Sequence, residues 1–286
     1  MPDLLAPFAY GYMVKAMWVS ALVGATCAFL SCFLMLKGWS LMGDALGHAV
    51  VPGVALAYLI GLPFSAGAFV AGGLAALAMQ FVRSQTRLRE DAVIGLVFTA
   101  FFAAGMLLVS INPTSINVQS IVLGNILAIS DWDALQVVVV SAVTLGVLLV
   151  VWKDLMAVFF DEAHARSIGL DPTRLKILFF TLLSAATVAA LQTVGACLVI
   201  AMVVTPGATA YLLTDRFPVL LTIAVAVGAL TCFVGAYLSY FVDGATGGVI
   251  VTLQTLVFLT AFYLAPRHGL LAQRRRREAA IVEAAR

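Results

Sequence analysis

The sequence predicts an all-α polytopic membrane protein of about nine transmembrane helices, and three observations carry that prediction. Of its 286 residues, 63% are hydrophobic and only 10% are charged, too few charges to wet the surface of a water-soluble domain. Apolar runs recur along the whole chain, each close to the roughly 20 residues that a helix needs to cross a bilayer. Within these runs the apolar residues do not alternate with polar ones, which argues against a β-barrel. The net charge of +2 is a sum over loops and carries no signal for nucleic acid.

In chain order the expected spans are 16–36, 43–61, 63–82, 92–111, 133–152, 176–194, 196–213, 217–241 and 247–265. The stretch "MPDLLAPFAYGYMVK" puts no basic segment ahead of the first run, so that span is expected to remain as an anchor. The turn at Gly61 to Pro63 separates the second span from the third, and Gly195 divides a run too long for one helix. Cys27, Cys32, Cys197 and Cys232 all fall inside apolar runs at spacings that match no zinc motif, and they read as small buried hydrophobes. With nine spans and the C-terminus inside, Lys37, Arg83, Arg87, Arg89, Lys153, Arg166, Arg174, Lys176, Arg216, Arg267 and the "RRRR" at 274–277 face the cytoplasm, and only Lys15 lies outside. An eight-span order, the alternative, splits that pattern. Residues 1–286 thus read as one transmembrane domain with a basic cytoplasmic tail at 266–286.

Two connecting segments stand out. The outer loop "INPTSINVQSIVLGNILAISDWD", 111–133, starts too polar to span and ends too apolar to be free in water; it reads as re-entrant, as a docking surface, or as an ordinary interfacial loop. In the inner loop "FFDEAHARSIGLDPTRLK", 159–176, Asp161 can cap a short helix, Gly169 can end it, and Asp171 with Pro172 can start the next. That helix lies either in a groove on a cytoplasmic partner or on the headgroups.

The chemistry concentrates in "SLMGDALGHAVVPGVALAYL", 40–59. Asp44 and His48 are one turn apart on one helix face, and a carboxylate in hydrocarbon needs a partner, a cavity or both. Carboxylate oxygen with neutral imidazole suits a divalent first-row cation. Three structural alternatives stay open: Asp44 as a helix cap near the cytoplasmic interface, His48 as a hydrogen-bonded interhelical residue, and an ion pair with no further role. Gly43 and Gly47 would let another helix approach closely. Pro52 and Gly53 interrupt the span, and "TPGATAYLL" at 205–213 echoes "VPGVALAYL" at 51–59, a pairing that in transporters can flank a pathway. Gln80, Thr99, Gln192, Thr205, Thr209 and Gln254 read as interhelical hydrogen-bonding residues, and Asp243 as part of an outer turn. No phosphate-binding loop, metalloprotease or hydrolase motif occurs, so the chain is not expected to be an enzyme, and any driving energy must come from elsewhere.

At these residues the chain resembles the permease subunits of metal-ion ABC importers, the bacterial family serving manganese, zinc and iron(II). The resemblance runs from "LMGDALGHAVVPGVALAYLIG" through "VLGNILAIS", "DEAHARSIGLDPTRLK" and "TVGACLVIAMVVTPGATAYLLTDRF" to "ATGGVIVTLQTLVFLTAFYLAPRHGLLA", and it is greatest to the manganese or manganese/iron branch. It implies a type II importer-like permease in the bacterial inner membrane. Two copies would form the pathway, two cytoplasmic ATP-binding subunits would drive it, and an extracytoplasmic metal-binding protein would deliver manganese, iron(II) or zinc. Asp44 and His48 match the family's intramembrane coordinating pair. Segment 159–175, with Asp161, Glu162, Ala165, Arg166 and Gly169, matches the helix that docks on the ATPase. No permanently bound cofactor is implied. The competing functions are a proton-coupled carrier in which the pair titrates, a siderophore or cobalamin permease, and a membrane scaffold in which the pair is structural.

Overall fold

The structure, a computed structural model, describes residues 5–39, 42–62, 64–86, 88–111 and 126–265, without the side chains at 44, 64, 84, 90, 128, 192–194, 196–198 and 200. The regular elements among them are all helical: α1 (Ala6–Ala9), α2 (Gly11–Lys37), α3 (Met42–Ala49), α4 (Val51–Ile60), α5 (Phe64–Gln85), α6 (Glu90–Ile111), a 3-10 turn (Ile126–Ala128), α7 (Asp131–Phe160), α8 (Glu162–Ser167), α9 (Pro172–Val194), α10 (Ala196–Leu213), α11 (Phe217–Val242) and α12 (Thr246–Leu264). Seven of them, α2, α5, α6, α7, α9, α11 and α12, are long and apolar enough to cross a membrane. Ala45–Ile60 and Ala201–Leu213 are shorter apolar segments, and they fall where the second and seventh spans were expected.

Side-chain pairs fix the directions of four passes. Phe33 meets Phe217 at one end of the α2–α11 pair and Tyr10 meets Tyr240 at the other, so the two are antiparallel. Helix α7 runs parallel to α2, with Lys15 on Asp131 at the start and Phe33 against Phe159 at the finish. Helix α10 meets α2 at Ser31 and Val204, and α12 returns along α11 through Ser239 with Thr246 and Thr231 with Gln254. These directions are those of the nine-pass order. Lys37, Lys176 and Arg83 gather around Glu162 at one end, which is the cytoplasmic end by its basic residues; at the other, Lys15 is paired with Asp131.

Helix α2 is the axis of the bundle. It is apolar all round, the pattern of a helix with no solvent face, and 78% of its apolar window is buried, against 22–39% for α5, α6, α7, α11 and α12. Small residues let its neighbours in: a side chain on Gly24 would collide with Cys232, and one on Gly228 with Ala28. Cys27, Cys32 and Cys232 are free and buried, as small hydrophobes should be, and the Cys197 side chain lies outside the described residues.

The two Pro-Gly steps, alike in sequence, do different work in the two helices. Pro52 begins α4 after a break at Val50, and Gly53 packs directly on Gly67 of α5. Pro206 stays inside α10. There the Gly207 N–H donates to Ser31 Oγ at 2.8 Å while the Ser31 hydroxyl donates to the Val204 carbonyl at 3.2 Å, so a side chain of α2 bridges the ladder that proline opens.

The polar residues in the spans also depart from the expectation of interhelical bonding. Gln254 does bond across, donating to Thr231 Oγ1 at 3.2 Å, but Thr99 and Thr209 donate to their own Gly95 and Thr205 carbonyls, the local bond that costs a threonine least in hydrocarbon. Asp243 stands exposed in the outer turn in the left-handed conformation, φ 51°. The Gln192 side chain is outside the described residues.

Candidate functional site

Helix α3 carries the candidate pair and has two unlike faces. Met42, Ala45, Leu46 and Ala49 recur at helical spacing and are buried, which seats the helix against α5, α6, α9 and α10. Asp44, Gly47 and His48 share the other face by the same spacing. On that face a side chain added to Gly47 would meet nothing within 4 Å, and His48 is half-buried, its ring 5.6 Å from both Phe98 and Phe102 of α6. The Asp44 side chain lies outside the described residues. The expectation that both glycines admit a neighbouring helix holds at Gly43 alone, where an added Cβ would stand 3.0 Å from Val203 of α10.

One of the open alternatives, Asp44 as a helix cap near the cytoplasmic interface, changes with the helix bounds. The helix begins at Met42, so Asp44 sits in the first turn rather than capping it. Gly43 faces Val203, about 15 Å above the cytoplasmic end of α10 at 1.5 Å per residue. The pair therefore lies in the middle of the bundle, deeper than the sequence placed it. Gly38 ends α2 in the left-handed conformation, φ 71°, and sends the chain back inward, and long-range packing holds it there, with Trp39 buried against Phe159 and Phe180. No group of three or more His, Cys, Asp or Glu forms among the described residues.

Segment 159–175 contains the helix its caps predicted. Asp161 Oδ1 accepts from the Ala163 N–H at 2.8 Å and the His164 N–H at 3.1 Å. Those bonds hold its carboxyl below the ordinary value of 3.8. Gly169 ends the turn at φ 88°, and Asp171 caps α9 through the Thr173 and Arg174 N–H groups. Glu162 points back into the bundle. It takes a hydrogen-bonded ion pair from Lys176, which is only 5% exposed, and lies 3.8 Å from Lys37. Burial raises the Glu162 carboxyl, but the Lys176 hydrogen bond and the charges of Lys176, Lys37 and Arg83 outweigh it and the net shift is downward. Ala165 is wholly buried. Of the five residues singled out in the sequence, then, Arg166 is the one that turns a charge outward; Asp161 commits its carboxylate to the cap, and Glu162, Ala165 and Gly169 shape and anchor the helix. The sequence reading passed over His164, Ser167 and Ile168, which share the exposed side, Ile168 being 56% exposed. An apolar residue set among polar ones on a capped cytoplasmic helix was the available signal. Beside it lies an open cleft of about 360 Å³ between Arg166 and Thr173.

Residues 9–265 match the ABC 3 transport family. The chain belongs to that family. Among its members, the chelated iron transport system membrane protein YfeC of Yersinia pestis is 72% identical over 273 residues, covering 96% of this chain and 93% of that one. The manganese transport system membrane protein MntB of Synechocystis is 50% identical, covering 94% and 88%. Among solved structures, that of PsaBC from Streptococcus pneumoniae in complex with Fab superposes with a TM-score of 0.83 at 33% identity, covering 95% of this chain and 98% of the other. The all-helical multi-pass fold and the membrane setting are thus those of the ABC 3 transport family.

Proposed function

We propose that the chain is the permease subunit of an ATP-driven importer of a divalent transition metal, manganese or iron(II), in the bacterial inner membrane. In this reading Asp44 and His48 bind the ion in transit, and α8 engages a separate cytoplasmic ATPase. The observation that carries it is the open face of α3: a carboxylate position, a glycine with free space and a half-buried imidazole, at mid-depth and flanked by two phenylalanines. Oxygen and nitrogen donors suit manganese and iron(II). The aromatic walls lower the local dielectric, which strengthens attraction between a carboxylate and a dication, and their faces themselves attract cations. Water or a second copy of the chain completes the shell, and a small protein ligand set lets the ion leave. Family membership favours ATP as the energy source over a proton gradient, and the relative named for manganese transport favours a metal ion over a bulky siderophore or cobalamin.

On α8, the exposed His164 and Arg166 with Ile168 at its end, and the cleft beside it, supply a surface of the kind that a groove on an ATPase would receive. An extracytoplasmic binding protein delivers the metal, and two permeases with two ATPases complete the assembly. The test is uptake of manganese-54, with iron(II) and zinc as competitors, in cells that lack their own manganese importers and express this chain with its ATPase and binding protein. ATP-dependent uptake that disappears in Asp44→Ala and His48→Ala at equal membrane levels is expected. Normal uptake in both variants would remove the pair from the pathway.

A further inference from the structure

We propose that Phe98 and Phe102 of α6 are specificity-determining residues of the permease, which close one side of the His48 imidazole to water and so disfavour magnesium and calcium. The proposal rests on the permease reading above and deepens it. Phe98 and Phe102 stand one turn apart on α6 with their rings stacked at 6.1 Å. The His48 ring rests against both, 5.6 Å from each centroid, tilted 51° to Phe98 and edge-on at 75° to Phe102. Gly105 continues the same face of α6 at helical spacing. An added Cβ there would stand 2.8 Å from the Pro52 nitrogen, so it takes a glycine to let this face of α6 come down on α4 just past His48. One stripe of α6 thus lies along His48 and Pro52, and the imidazole meets ring carbon on that side.

Two plainer roles fit these rings less well. They are not what seats α6: Val93, Ile94 and Val97 are buried and do that, whereas Phe98 is half-buried and Phe102 is 36% exposed. Nor do they read as ordinary lipid-facing side chains, which need no polar neighbour. These two meet on a histidine, beside a Gly47 at which an added side chain would find nothing within 4 Å. A stiff apolar wall against a polar ring next to open space is the form of a selective lining.

The candidate ions differ in how they take such a wall. Magnesium keeps several waters in a near-ideal octahedron, and calcium takes roughly six to eight oxygen ligands. On His48 each would receive one nitrogen and, on the α6 side, ring carbons where those oxygens would stand. Manganese and iron(II) accept an imidazole as a ligand, which offsets part of what the missing waters cost. Truncating a ring admits water to that side and supplies oxygen ligands, which favours calcium and magnesium most. The wall works by volume: leucine in place of either phenylalanine keeps most of it, and alanine removes it.

The test is manganese(II) binding to the full chain, co-expressed with its ATPase and reconstituted without nucleotide in lipid nanodiscs. Electron paramagnetic resonance separates bound from free manganese, water-proton relaxation counts the waters on the bound ion, and the signal lost in His48→Ala defines the site. Phe98→Ala and Phe102→Ala are expected to add water to the bound ion and to let calcium and magnesium displace it at about tenfold lower concentration, the lower end of what groups around a metal's ligands contribute. Phe98→Leu and Phe102→Leu should behave as the parent. Gly105→Ala leaves both rings in place but lifts α6 off Pro52, so it should move both readings the same way by less. Both are taken per bound manganese and do not follow the amount of folded protein. Unchanged hydration and displacement in the alanine variants, or in Gly105→Ala where those do not accumulate, overturn the filter, as do leucine variants that match alanine. A parent with no His48-dependent manganese signal overturns the cargo role of His48 and the filter with it. A parent that binds manganese at His48 whatever stands at 98 and 102, with the same preference among ions, overturns the filter alone.

Discussion

Helices α3 and α8 are both short pieces of eight and six residues set between long spans, yet they are tied down in opposite ways. Helix α8 is over-determined: capped by Asp161, closed by Gly169, pinned through Glu162 to Lys176 and Lys37, and seated on Ala165. Helix α3 is seated chiefly through one face, and its other face keeps space for a side chain at Gly47 and a half-buried His48 beside Phe98 and Phe102. A helix that must transmit a push has to move as one body. A helix that must bind and release an ion has to leave room beside its ligands and cannot satisfy them fully within its own chain.

The largest effect should come from α3. His48→Ala and Asp44→Ala are each expected to reduce manganese-54 uptake by about 100-fold, on the scale by which lost ligand-sphere contacts weaken metal sites, with membrane levels unchanged because the buried face of α3 is untouched. Uptake within a few-fold of the parent would make α3 a structural helix like α8 and dissolve the comparison. Gly47→Ala should leave the membrane level nearly unchanged, since the added methyl meets nothing, whereas Gly43→Ala must displace Val203 and should lower thermal stability.

The anchoring of α8 comes next in size. Glu162→Gln leaves the buried Lys176 ammonium without its carboxylate and should destabilise the protein by about 1–2 kcal/mol, below the value for a fully buried pair because Glu162 is part-exposed. Glu162→Gln with Lys176→Met removes both charges and should recover most of the loss, measured as the coupling term of a double-mutant cycle on thermal unfolding in detergent. Additive losses would mean that α8 is held by its caps and Ala165 alone.

This contrast explains what the sequence could and could not show. Span order, the break at Gly195 and the whole of α8 were legible, because apolar run length, N-caps and left-handed glycines are local chemistry. The charged pair Lys153 and Asp154 misled the reading of the fifth span: α7 continues through them to Phe160, with the Lys153 ammonium 5.7 Å from the Trp152 ring, as long basic side chains do when they reach for the interface. The depth of Asp44 and His48 was not legible because it depends on Gly38 turning the chain inward against Phe159 and Phe180, which lie more than a hundred residues away. The Glu162–Lys176 ion pair, 14 residues apart, was not legible either, because spacing alone does not show that the chain between them folds back. The expectations for loop 112–125 and tail 266–286 lie outside the described residues.

The smallest effect is one of pH, and its sign follows from the cap. Two N–H bonds stabilise the ionised Asp161 carboxylate, so its folded-state pKa lies below the ordinary 3.8. A depressed acid contributes stability that is fully present above the unfolded value and is lost as pH falls through the folded one. The contribution of the Asp161 cap should therefore be flat between roughly pH 5 and 8 and weaken below 3.8. Asp161→Asn keeps an oxygen that can accept from the same N–H groups, so it should leave the neutral-pH midpoint of thermal unfolding almost unmoved while flattening its acid limb. Glu162, lowered from 4.5, adds a second loss in the same direction just above. An acid limb that survives in Asp161→Asn but vanishes in Glu162→Gln would assign the hold to the ion pair and leave the cap a minor part of what makes α8 rigid.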